Sequence, residues 1–77
     1  MDKTIKEYDA VVLLNDLPGT PLIAGDTGVV VDVHGDGAAF EVEFPNPDGH
    51  PRFLVETMER AKILKLQPRS RIARTVA

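Results

Sequence analysis

Residues 25–44 constrain the fold more than any other stretch of this chain. Gly25-Asp26-Thr27-Gly28 leads into Val29-Val30-Val31-Asp32-Val33-His34, Gly35-Asp36-Gly37 follows, and Ala39-Phe40-Glu41-Val42-Glu43-Phe44 returns. In the returning arm Phe40, Val42 and Phe44 alternate with Glu41 and Glu43, the period of two with which an antiparallel strand buries one face and wets the other. Gly35 and Gly37 supply the positive φ that a tight turn needs. The pattern predicts a β-hairpin, with strands over about 27–34 and 38–44. With Asp32 turned to water, parity places Val29, Val31 and Val33 inside with the two phenylalanines and Val42. Val30 then falls on the outer face.

The flanks supply further strands. Tyr8 to Leu14 is rich in apolar and β-branched residues and is bounded by Asn15-Asp16 and Pro18-Gly19, so it reads as the first strand. Residues 15–26 contain two prolines and two glycines and read as a long loop. Its Leu17, Leu22 and Ile23 are too apolar to stand in solvent, which predicts a lid folded back over the core. Pro45-Asn46-Pro47-Asp48-Gly49-His50-Pro51 interrupts the sheet. A fourth strand resumes over about 52–57, a single 3₁₀ turn is expected near Met58 to Ala61, and a closing strand over 62–66 turns Leu64 and Leu66 inward. Residues 69–77 show no apolar periodicity and read as a basic, disordered tail.

Five short strands, one long early loop and a one-turn connection before the last strand describe an all-β, five-stranded SH3-like barrel over residues 1–68, with its core over about 6–68. An OB-like barrel or small open sandwich is the architectural alternative. It needs a helix between strands three and four, which residues 45–51, with three prolines, do not supply. At 77 residues the chain fits one domain of modest stability. It has no cysteine, so neither a disulfide frame nor a thiolate metal site supports it. No apolar run approaches the roughly 20 residues that span a bilayer, and the first residues lack an export signal's apolar core. A cytoplasmic location is the expectation.

Charge is distributed unevenly. Residues 1–61 carry all 12 acidic residues against four basic ones, a net −8, whereas residues 62–77 carry Lys62, Lys65, Arg69, Arg71 and Arg74 and no acid, a net +5. Asp32, Glu41 and Glu43 form an acidic stripe if they share a sheet face, a surface suited to a basic protein partner. The basic C-terminal arm suggests the alternative of a nucleic-acid or ribosome-associated barrel, although no aromatic residue is interleaved with its cations and the body would repel phosphates.

Three phrases also carry a family resemblance. Tyr8-Asp9-Ala10-Val11-Val12-Leu13-Leu14-Asn15-Asp16-Leu17-Pro18, Gly25-Asp26-Thr27-Gly28-Val29-Val30-Val31-Asp32-Val33, and Phe40-Glu41-Val42-Glu43-Phe44 with Asp48-Gly49 resemble the bacterial small-barrel family called domain of unknown function 4926, over about residues 6–68. The Gly25-Asp26-x-Gly28-x-Val element alone is also similar to the opening of KOW and other SH3-like modules. The resemblance implies an SH3-like barrel and no established activity, so it transfers no catalytic residue. It further implies a stand-alone accessory protein, of antitoxin or immunity type, acting by binding a partner.

Catalytic and ligand chemistry is sparse. Without cysteine, the nucleophile candidates are Ser70 and several threonines, none beside a base in sequence, and the chain does not read as an enzyme. His34-x-Asp36 and Asp48-x-His50 would pool metal ligands only if their loops met. Since no spacing demands it, the aspartates read as turn stabilisers and neither a metal nor a cofactor is expected. Gly25 and Gly28 precede a strand and not a helix N-terminus, so they read as turn and bulge glycines, not a phosphate cradle. The function expected is that of a small binding module docking a protein through its acidic sheet face or a strand edge. The chain is expected to be a monomer or a weak homodimer, the latter through Val30, Tyr8 and Phe53 if those face outward.

Overall fold

A computed structural model describes residues 3–49 and 52–67. The chain is all-β there. Strands β1 (Ala10–Leu13), β2 (Thr27–His34), β3 (Ala39–Phe44) and β4 (Leu54–Glu59) are followed by one 3₁₀ turn (Arg60–Lys62) and β5 (Ile63–Lys65). They form a single five-stranded sheet in the order β4-β3-β2-β1-β5, with each neighbouring pair antiparallel. In a flat sheet β4 and β5 would lie roughly 19 Å apart. The three-residue turn that joins them spans at most about 14 Å, so the sheet must roll its outer strands toward each other.

The core fills the inside of this roll. Ile5, Val11, Leu13, Leu22, Val30, Phe40, Val42, Phe44, Met58 and Ile63 are buried, with Leu17, Val33 and Leu54 packed against them. Each large side chain removed from water contributes about 1.5–3 kcal/mol before entropy is counted. The expected alternation holds throughout β3, where Phe40, Val42 and Phe44 are buried between half-exposed glutamates. The hairpin turn holds too. Gly35, Asp36 and Gly37 all have positive φ, at 57°, 55° and 100°, and the His34 carbonyl accepts the N–H groups of Gly37 and Ala38.

The parity expected for β2 is corrected by a β-bulge. Val30 pairs with Val42 but the next pair is Asp32 with Glu41, so the register shifts between them and leaves Val31 as the extra residue. One inserted residue exchanges the faces of everything on its far side. Val33 therefore points inward as expected, while Val30 is fully buried and Val29 is 43% exposed. Gly28 is corrected for the same reason: its position is buried. A Cβ there would stand 2.8 Å from the Glu43 carbonyl oxygen and 2.9 Å from Phe44 Cδ1, so it is a close-approach glycine.

Other boundaries move for local reasons. Tyr8 lies outside β1 because it adopts a left-handed φ of 72°, within a turn in which the Lys6 N–H donates to Asp9 Oδ2 at 2.8 Å and the Asp9 N–H to the Lys6 carbonyl at 3.1 Å. The loop between β1 and β2 does act as a lid, through Leu22 and Leu17. The Leu17 carbonyl accepts the Thr20 hydroxyl at 2.8 Å, and Asp16 Oδ1 accepts the Ala24 N–H at 2.9 Å. Ile23, expected under that lid, is exposed. In β5 it is Ile63 that is buried, whereas Leu64 and Leu66 face solvent, since Leu64 pairs with Val12 on the outer side of the sheet. Ile5, which carries no strand pattern, also joins the core. Its segment is held by Arg60 Nη2 donating to the Lys3 carbonyl and Lys65 Nζ donating to the Thr4 carbonyl. Among the described residues no helix is long and apolar enough to cross a membrane.

Candidate functional site

The outer face of the sheet carries two neighbouring features. The first is a groove of about 450 Å³ lined by Ala10, Thr27, Val29, Val31, Phe53 and Leu66, with Gly28, Glu43 and Pro45 at its margins. Its floor is exposed by the same bulge that buries Val30. Val29 pairs with Glu43, and Glu43 pairs with Val55 on β4, so the outward row runs apolar, acidic, apolar. Phe53 is 56% and Val55 54% exposed, so apolar side chains flank Glu43 on this face.

The second feature adjoins it on β2 and β3. Asp32 and Glu41 are cross-strand partners, and His34 lies two residues beyond Asp32 on the same face. His34 Nε2 stands 3.8 Å from Asp32 Oδ2 and 3.9 Å from Glu41 Oε1. Asp32 Oδ1 accepts the Val33 backbone N–H at 2.9 Å, which fixes that carboxylate and leaves Oδ2 toward the imidazole. The side chains are solvent-facing, 55%, 39% and 48% exposed for Asp32, Glu41 and His34.

Asp32, Glu41 and Glu43 thus share one surface, as their spacing implied. The basic residues expected to form a C-terminal arm do not make a comparable unit among the described residues. Lys62 is exposed in the 3₁₀ turn, but Lys65 is 16% exposed, pairing with Asp9 Oδ2 at 3.3 Å and donating to the Thr4 carbonyl at 2.9 Å. Arg69, Arg71 and Arg74, like His50 and Ser70, lie outside the described residues. Asp36 sits at the hairpin tip. Of the surface proposed for self-association, Tyr8 and Phe53 are exposed but Val30 is not.

Sequence reasoning paired His34 with Asp36 and did not place it beside Asp32 and Glu41, and it did not bring Phe53 together with Val29 and Leu66 in one groove. The i, i+2 spacing of Asp32 and His34 opposite Glu41 was the available signal for the first. A family model matches residues 7–65. The chain belongs to the family described as Domain of unknown function (DUF4926). Comparison with curated proteins and with solved structures gives no match. The DUF4926 region takes in the Asp32–His34–Glu41 cluster and, apart from Leu66, the residues that line the groove.

Proposed function

We propose that the rolled sheet is an SH3-like barrel that serves as a non-enzymatic docking module in the cytoplasm, binding a protein partner on its outer face. The observation that carries this reading is the apolar groove with Glu43 in its wall and Asp32 and Glu41 beside it. Apolar floor and carboxylate rim together suit an extended segment that alternates apolar and basic residues. The apolar groups supply most of the binding energy and the carboxylates set register and encounter rate. The sheet face is favoured over the β4 edge, because Glu56 occupies an inner-face register position opposite Val42, and an inward charge on an outer strand discourages further strand pairing.

The experiment is capture of a stoichiometric partner from the native cytosol by the tagged chain, compared with the Glu41→Lys/Glu43→Lys variant. The reading expects a partner that the wild type retains and the variant releases. Retention by both, or by neither, contradicts it. The nucleic-acid reading rests on Lys62, Lys65, Arg69, Arg71 and Arg74. The engagement of Lys65 with Asp9 and Thr4 removes one of its cations from a free arm.

A further inference from the structure

We infer that Asp32, His34 and Glu41 form a binding site for a divalent transition-metal ion of borderline softness, with Zn²⁺ the representative member. One donor atom from each residue lies within 4.8 Å of the other two. The Nε2–carboxylate separations of 3.8 and 3.9 Å are too long for hydrogen bonds. They fall within the ~4.2 Å that two metal–ligand bonds of about 2.1 Å can bridge, and a closure of under about 1 Å brings them to the ~3–3.4 Å spacing of tetrahedral or octahedral neighbours. The two carboxylates lie within 4.8 Å of each other, so a modest rotation of these exposed side chains brings all three donors onto one ion.

Backbone geometry prepares this arrangement. The bulge at Val31 turns Asp32 to the outer face directly opposite Glu41, and like charges placed opposite each other destabilise a strand pair unless something offsets them. His34 lies two residues beyond Asp32 on the same face of β2, so both β2 donors reach Glu41 from one side. Val33 N–H holds Asp32 Oδ1, an outer contact of the kind that orients a ligating carboxylate. An imidazole with two carboxylates selects borderline ions over Mg²⁺ and Ca²⁺, which prefer all-oxygen shells. Three protein donors on an exposed face leave the remaining coordination positions to water or to a donor from a bound molecule.

The site is tested on the purified full-length chain, freed of metal by chelator, without any partner, so its outcome is independent of the docking reading. Calorimetric titration with ZnCl₂ is expected to show one saturable site tighter than about 0.1 mM, with the His34 imidazole resonances shifting in step. His34→Ala and Glu41→Gln each weaken it at least about tenfold, His50→Ala leaves it unchanged, and Mg²⁺ at millimolar excess does not displace Zn²⁺. Because all three side chains are solvent-facing, these variants retain the wild-type circular dichroism spectrum. Absence of saturable binding, equal binding by His34→Ala, or loss of binding in His50→Ala overturns the assignment.

Discussion

Val30 and Val42 face each other across β2 and β3, and both are fully buried. Val29, one residue earlier, pairs with Glu43 and is exposed. A hydroxyl introduced at the first position meets a dry interior, while at the second it meets water. Val30→Thr should therefore cost about 1–3 kcal/mol, and Val29→Thr less than about 0.5 kcal/mol. Urea unfolding of the two variants distinguishes them, and equal costs would contradict the bulge.

Gly28 offers a sharper test of the same region. A methyl group there collides with the Glu43 carbonyl oxygen and with Val42 Cγ1, both 2.8 Å from the Cβ position. The first is backbone and cannot swing aside. Gly28→Ala is expected to destabilise the chain by about 1–3 kcal/mol through overpacking, read as a lowered urea midpoint at unchanged slope.

These two positions also show where sequence reasoning stopped. The strict alternation of Phe40, Glu41, Val42, Glu43 and Phe44 leaves one assignment of faces, and that assignment holds. Val29 to Val31 and Val33 are chemically alike, so Asp32 alone anchors the parity of β2, and it anchors only its own side of the bulge. Leu64 and Leu66 misled for a related reason. In a three-residue strand no alternation is long enough to reveal which apolar residue is inside, and Ile63 takes the place. Ile5 had no pattern at all, because its burial depends on tertiary ties from Arg60 and Lys65. At the candidate site, the shared face of Asp32, Glu41 and Glu43 was legible from parity. The groove was not, since it joins β1, β2 and the segments beyond β3 and β5 that only the rolled sheet brings together.

Tyr8 is 76% exposed and holds a φ of 72°, a conformation that costs an L-residue roughly 1–2 kcal/mol. Tyr8→Gly removes that cost but adds about 0.5–1 kcal/mol of unfolded-state entropy, so it should be as stable as the wild type or slightly more so. Tyr8→Val, whose branched Cβ fits this region poorly, should be the less stable of the two. Thermal midpoints of the pair, recorded at one pH, check the ordering.

The basic C-terminal arm makes its own prediction. Phosphate contacts are strongest at low salt, so if Lys62 to Arg74 form a nucleic-acid surface, binding to single- or double-stranded DNA and RNA must appear at about 50 mM salt and weaken steeply toward 200 mM. With Lys65 engaged inside the fold and the body at net −8, fluorescence anisotropy is expected to show no binding even at the lower concentration. A steep salt slope would favour the arm over the sheet face.

Docking on the outer face is tested most directly by a photocrosslinking residue placed at Phe53, in the groove, and separately at Ala61, an exposed position in the 3₁₀ turn. The account predicts that in native cells Phe53 captures one protein through an apolar and basic segment, that Ala61 does not, and that Glu41→Lys/Glu43→Lys abolishes the capture without unfolding the chain. Equal capture from both positions, or capture from Phe53 that survives the charge reversal, would contradict it.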